Sequence, residues 1–136
     1  MRTKFQWISL ACLLFLVTNA RATNMAVDCE FSLLKQAHES LVFCGESIEP
    51  VNEARYDKLT QDFLAFIAMN GNPDKYNGSL EQIRRRLRQD GRDRVCEDPD
   101  YPLLRRAFFR YISDVGMAEV SRLLSHPRDP SEGDCF

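Results

Sequence analysis

The sequence predicts a small all-α protein, a bundle of four to five helices stapled by two disulfides. Apolar residues recur at three- and four-residue intervals in successive segments, and no segment shows the strict alternation of a strand. Removal of a 22-residue signal peptide from the 136 residues leaves 114, which suffice for one domain and are too few for two comfortable ones. Four cysteines remain once an N-terminal signal peptide is set aside, and this even number fits two disulfides.

The N-terminal segment has the features of a secretory signal peptide. A positive start is followed by an apolar core from Trp7 to Val17, and Ala20-Arg21-Ala22 is a small-x-small cleavage pattern. The apolar run is shorter than the roughly 20 residues that span a bilayer, which argues against an uncleaved transmembrane anchor. We therefore expect residues 1–22 to be a signal peptide, residues 23–136 to form a single mature domain, and the protein to be secreted.

The first two helices have the clearest apolar stripes. Asn70 followed by Gly71 predicts where the second helix ends. In residues 29–43 the predicted inward residues are Phe31, Leu34, Ala37 and Leu41. In residues 51–70 they are Tyr56, Leu59, Phe63, Phe66 and Ile67.

The later helices follow a loop at residues 72–78. Ser79 is expected to open the third helix in a capping box with Gln82, and Gly91 to end it. Its inward residues are Leu80, Ile83 and Leu87. After a second loop, the fourth stripe comprises Leu104, Phe108, Tyr111, Ile112 and Val115. At Gly116 the phase shifts to Met117, Val120 and Leu124, which predicts a kink or a short fifth helix.

Helix length limits the possible disulfides. A continuous helix over residues 29–43 separates Cys29 from Cys44 by about 22 Å, whereas a disulfide tolerates a Cα separation of about 7 Å at most. In an up-down bundle Cys44 and Cys96 fall in loops at one end, and Cys29 lies at the other. This favours Cys44–Cys96 and Cys29–Cys135, the second pinning the C-terminal tail across the bundle. An oxidising compartment is the setting for such bonds.

The third helix carries an arginine run, "IRRRLRQDGRDRVC" at residues 83–96, with six arginines in eleven positions. With Ile83 inward, steps of 100° place Arg85 and Arg88 on the opposite face, and Arg84 and Arg86 beside the buried stripe. Glu81 is expected to pair with Arg84 or Arg85 at i+3 or i+4.

This run has two interpretations, a solvated face whose arginine stems cover apolar surface or a protein-recognition surface. Under the second, we expect Arg85, Arg88 and Arg92 to contact an acidic protein partner. Arg106 and Arg110 of the fourth helix are the next candidates for partner binding.

The overall charge argues against a polyanion as the partner. Loss of the three basic residues of the signal peptide leaves 15 basic against 20 acidic residues, a net charge of −5. Residues 79–94 alone have six basic and three acidic residues, a local charge of +3. Such a patch can orient a protein partner without general attraction to nucleic acid or heparin. We expect no nucleic-acid partner, no membrane partner and a monomeric protein.

No motif predicts catalysis, a metal site or a cofactor. Nothing in the sequence brings His38 and His126 together as an acid-base pair, and Asp98 and Asp100 are better explained as helix caps. There is no Cys-x-x-Cys pair for zinc. Asn77-Gly78-Ser79 is an N-glycosylation sequon in a loop, so Asn77 is a candidate glycosylation site.

The mature chain resembles the small salivary proteins of anopheline mosquitoes, the family that includes albicin and anophensin. A signal peptide, a short all-helical chain and four cysteines in "DCEF", "VFCGE", "RVCEDPDYP" and "GDCF" carry the resemblance. It implies a secreted salivary inhibitor, without enzymatic activity, that binds host plasma defence proteins during blood feeding. The implied targets are the C3 convertase of the alternative complement pathway or the contact (kallikrein-kinin) system.

Two other functions fit the same architecture. A helical cytokine or hormone would bind a receptor on cells of its own species. A carrier of small hydrophobic ligands would use the aromatic segments "FLAFIAM" and "RRAFFRY" to line a cavity, although such residues more commonly pack in a core.

Overall fold

The structure is a computed structural model that describes residues 25–135, so the predicted signal peptide lies outside the described residues. Within this range the chain forms six α-helices and one 3₁₀ turn, which confirms the all-α prediction. None of these helices is both long and apolar enough to cross a membrane. The elements are α1 (Val27–Phe43), α2 (Pro50–Asn70), the 3₁₀ turn (Pro73–Tyr76), α3 (Ser79–Asp90), α4 (Arg92–Cys96), α5 (Tyr101–Tyr111) and α6 (Asp114–Leu123).

Helix α1 lies at the centre of the domain and packs against α2, α3, α4 and α5. Because neighbours surround it, α1 buries polar residues as well as its apolar stripe. The buried polar or charged side chains of the described region are Lys35, His38, Glu39 and Ser40, all on this helix. The predicted stripe of Phe31, Leu34, Ala37 and Leu41 is confirmed, with every member at most 2% exposed.

Helix α2 also follows its predicted pattern, and all five of its expected inward residues are buried. Phe63 stacks on Phe31 of α1 with ring centroids 5.1 Å apart. The helix ends at Asn70 as predicted, and Gly71 follows at a point where Pro130 of the C-terminal tail comes close. A Cβ atom at residue 71 would lie 2.8 Å from the Pro130 ring, so the close packing of the tail requires glycine.

The start of α3 differs from the predicted capping box. Gly78 is the N-cap, with φ of +76°, and no side chain caps the helix. The Ser79 hydroxyl instead accepts a hydrogen bond of 2.6 Å from the ammonium group of Lys35 on α1. The prediction for Ser79 and Gln82 is therefore wrong, because a buried donor on a neighbouring helix takes the hydroxyl that a local cap would have used.

A short helix that the sequence did not predict, α4, follows Gly91 immediately. Its single turn brings Cys96 to the C-terminal end of α1, where Cys44 caps that helix. The described residues thus form six helices, one more than the predicted upper number.

The break between α5 and α6 occurs earlier than predicted. Ser113 accepts a hydrogen bond from the backbone N–H of Gly116 at 3.1 Å and so begins α6, three residues before the expected phase shift. Val115 therefore leaves the α5 stripe and is 69% exposed, contrary to its predicted inward position. Gly116 lies against the end of α5, and a Cβ atom there would meet the carbonyl oxygen of Arg110.

Two disulfides close the fold, and they join the pairs that helix length together with an up-down arrangement favours. Cys44 pairs with Cys96 at a Cα separation of 5.7 Å, and Cys29 pairs with Cys135 at 5.6 Å. The C-terminal tail also runs beside the residues that precede α1, where Met25 and Asp134 form an isolated parallel bridge. The backbone N–H of Ala26 donates a hydrogen bond of 3.1 Å to the backbone carbonyl oxygen of Asp134. Disulfides of this kind are typical of proteins in an oxidising compartment.

Candidate partner-binding surface

The arginine run begins with a residue that faces inward. Arg84 binds the Glu39 carboxylate of α1 with two hydrogen bonds, from Nε at 2.8 Å and from Nη2 at 3.2 Å. The Glu39 side chain is 8% exposed and that of Arg84 is 47% exposed, so a buried carboxylate is held by a half-exposed guanidinium. This pair and the bond between Lys35 and Ser79 attach α3 to the central helix.

The same carboxylate belongs to a buried polar cluster around His38. The His38 imidazole stacks on Tyr56 of α2, with ring centroids 3.8 Å apart and planes within 7°. Its Nε2 lies 3.0 Å from the Glu53 carboxylate of α2, and its Nδ1 lies 3.5 Å from Glu39. His38 thus joins α1 to α2 in the interior.

Opposite charges determine the ionisation of this cluster. Burial raises the pKa of Glu39, but hydrogen bonds and charges from His38 and Arg84 outweigh it and lower that pKa to about 2. Burial lowers the pKa of His38, but Glu39 and Glu53 outweigh it and leave the pKa above its usual value of 6.5. Burial raises the pKa of Tyr56 to about 12, which keeps its phenol neutral. Attraction between these charged groups therefore holds α1 to α2 and to α3.

Of the predicted contact residues on α3 and α4, Arg85 has the most available guanidinium. Arg85 is exposed and makes no hydrogen bond or ion pair with residues 25–135. Arg88 donates to Glu81 at 2.7 Å, and Arg92 donates to the carbonyl oxygen of Cys44 at 2.9 Å. Arg86 is also exposed and unpaired within the described chain. The expected pairing of Glu81 with Arg84 or Arg85 is wrong, because Arg84 is held by α1 and Arg88, two turns from Glu81 on the same helix face, binds the Glu81 carboxylate.

The other two predicted contact residues lie on α5. Arg106 is exposed and has no bonding partner among the residues that the structure describes. Arg110 lies 3.4 Å from the Glu119 carboxylate of α6, and its side chain is 73% exposed. Arg105, on the same helix, is more tightly held, with Nε 2.9 and 3.0 Å from the two oxygens of Glu46.

The sequon residue Asn77 is exposed and follows the 3₁₀ turn. Its side-chain amide donates a hydrogen bond of 3.2 Å to Asp74. Gly78 beside it has open space around its Cα. Asn77 is thus sterically accessible at the N-terminal end of the arginine helix, where a glycan would cover one edge of the exposed face.

The groups that could support catalysis or metal binding have other roles in the described residues. His38 is buried within its cluster, and the exposed His126 contacts only the adjacent Ser125 hydroxyl at 3.0 Å among the residues with a described position. Ligand-type atoms converge at Asp28, Cys29 and Cys135. Both of those cysteine sulfurs form the disulfide, so neither is available as a thiolate ligand.

Three of the five aromatic side chains in the segments weighed as ligand-cavity walls are buried in the core, whereas Phe109 and Tyr111 are half-buried. Phe63, Phe66 and Ile67 of the first segment are at most 6% exposed, and Phe108 of the second is fully buried. Phe108 packs against Phe109 edge to face with centroids 5.3 Å apart. These side chains therefore contribute to packing.

Comparisons of this chain with protein-family profiles, with curated proteins and with solved structures find no match.

Proposed function

We propose that this protein is a secreted, non-enzymatic salivary inhibitor that acts by covering an acidic surface of a host plasma defence protein. The observation that carries the proposal is the pair of exposed, unpaired guanidiniums of Arg85 and Arg86 on α3. Arginine offers planar, bidentate contacts to carboxylates and is enriched in binding hot spots. An inhibitor of this kind needs a surface for its target and no active site.

The firm attachment of α3 to the rest of the domain supports the proposal. Helix α3 is attached to the core through Arg84 and Glu39 and through Lys35 and Ser79. The Cys44–Cys96 disulfide anchors the chain just beyond it. A preorganised surface loses less conformational entropy on binding than a mobile one. Most of the binding energy of a carboxylate contact would then be retained in the complex.

The resemblance to the anopheline salivary proteins supplies the candidate targets. The first is the C3 convertase of the alternative complement pathway, and the second is the contact system. The decisive experiment captures partners from vertebrate plasma with the immobilised mature protein. Parallel functional assays would measure erythrocyte lysis through the alternative pathway and kallikrein formation in plasma.

Charge-reversal variants make the test specific. We expect Arg85→Glu to slow association with the captured partner several-fold and to weaken its salt dependence, because the lost charge steers the encounter. Arg122→Glu is the matched control, since Arg122 is an exposed arginine on α6 outside the proposed interface. Unchanged binding and inhibition by the Arg85 variant, with native circular dichroism, would show that this face is only solvated. Capture of no plasma protein would overturn the proposed function itself.

A further inference from the structure

The exposed side of α5 forms a second feature, a shallow depression of about 500 Å³. It is lined by Pro102, Arg105, Arg106, Phe109 and Arg110. Phe109 is half-buried, so an apolar ring is accessible among three guanidiniums. Helix α5 contains these three arginines and no acidic residue. An open apolar surface with a cationic border is suited to a ligand that combines an apolar group with carboxylates.

An internal contact already shows how this surface binds a carboxylate. Arg105 holds Glu46 through Nε at 2.9 and 3.0 Å, and Tyr101 donates to the same carboxylate at 2.9 Å. The Arg105 guanidinium lies over the Phe109 ring, 5.0 Å from its centroid. Stacking on Phe109 and ion pairing with Glu46 together hold the Arg105 guanidinium in place at one side of the depression.

The two remaining arginines are available to an incoming ligand. Arg106 has no partner in the described part of the chain. The contacts from Arg110 to Glu119 are 3.4 and 3.5 Å long, at the limit of hydrogen bonding, and the arginine is largely exposed. An exposed ion pair of this kind contributes little to stability. A ligand carboxylate can therefore replace Glu119 at little cost.

The depression lies on the opposite side of the domain from the arginine face of α3. Glu30 of α1 accepts a hydrogen bond from Tyr111 of α5, whereas Glu39 of α1 is bound by Arg84 of α3. Nine residues separate these two glutamates, and at about 100° per residue they point in directions about 180° apart. Helices α5 and α3 consequently flank α1 from opposite sides, and one compact ligand segment cannot cover both.

We propose that the α5 depression is a separate docking site for an acidic polypeptide segment. Carboxylates of the segment bind Arg106 and Arg110, and an apolar side chain between them packs on Phe109. The inference deepens the proposed function and rests on it, since it names a second contact of the same binding protein. Glu46 and Glu119 beside the depression would repel a dense polyanion, whereas spaced carboxylates with an apolar residue fit between them.

The test uses nuclear magnetic resonance with the ¹⁵N-labelled mature protein and a capped synthetic peptide, Glu-Leu-Glu-Asp-Leu-Glu. We expect saturable shifts confined to residues 101–111 and their neighbours on α6. Arg106→Gln should weaken peptide binding at least fivefold. The matched control Arg122→Gln, which removes an exposed arginine elsewhere, should bind as the unaltered protein does.

Four outcomes would overturn this inference. Three of them concern the peptide: an absence of saturable shifts at millimolar peptide, shifts centred on α3, or equal weakening by both variants. A heparin tetrasaccharide that produces the same shifts at a lower concentration than the peptide would also overturn it, because it would identify a polyanion site. The peptide experiment contains no plasma component, so its failure is distinguishable from a failure of plasma capture, which tests the proposed function.

Discussion

Replacement of Arg84 by methionine should destabilise the domain by about 2 kcal/mol at pH 7. The variant keeps an apolar stem of similar length but leaves the buried Glu39 without its two hydrogen bonds of 2.8 and 3.2 Å. Breaking a fully buried ion pair costs about 3–5 kcal/mol, whereas exposed pairs contribute about 0.2–1 kcal/mol. With one partner buried and the other half-exposed, the expected cost lies between these limits.

The lowered pKa of Glu39 indicates a stabilisation of similar size. Its decrease from 4.5 to about 2 corresponds to about 3 kcal/mol of stabilisation at neutral pH. His38 and Arg84 share this stabilisation, and solvent screening on the Arg84 side reduces it. Since the pKa of Glu39 is lowered in the folded state, its contribution is present above pH 4.5 and is lost as the pH falls through about 2. The difference in stability between the Arg84 variant and the unaltered protein should therefore narrow over the same interval.

Urea unfolding followed by circular dichroism would measure these effects. The matched control is Arg86→Met, an exposed and unpaired arginine two residues away, which should change stability by no more than about 0.5 kcal/mol. A double-mutant cycle with Glu39→Gln isolates the pairwise energy. Equal stability of the Arg84 and Arg86 variants, or a coupling energy below about 0.5 kcal/mol, would show that the Arg84–Glu39 pair does not stabilise the domain.

Three further changes test other parts of the structure. Cys44→Ser with Cys96→Ser should lower the free energy of unfolding by about 4 kcal/mol, because the unfolded chain regains the entropy of a 52-residue loop. An unchanged free energy of unfolding of the double variant in chemical denaturation would contradict this. His38→Gln should remove a component of stability that is complete below about pH 6.5 and is lost as the pH rises through the raised pKa of His38. A constant difference in the free energy of unfolding between the two proteins from pH 5.5 to 9 would contradict this. Gly116→Ala should cost about 1–3 kcal/mol, because its methyl group would overlap the carbonyl oxygen of Arg110; an unchanged melting temperature would show that the helix junction yields.

The sequence alone predicts those features that depend on local periodicity or on chain length. The stripes of α1 and α2 are correct because the side chains that face one way along a helix are set by its 3.6-residue turn. The distance along α1 excludes a bond between Cys29 and Cys44 whatever the other helices do. The composition of the arginine run identifies α3 as a cationic helix, and its exposed face does carry the unpaired Arg85.

The tertiary structure decides which polar groups meet. Ser79 lies 44 positions from Lys35 in sequence, and Arg84 lies 45 positions from Glu39, so no local spacing links them. Glu39 of α1 meets Arg84 because α3 packs beside α1, and Arg84 is therefore not available to a partner in the way that Arg85 is. Periodicity is a property of one helix, whereas the pairing of buried charges depends on the orientation and register of two helices.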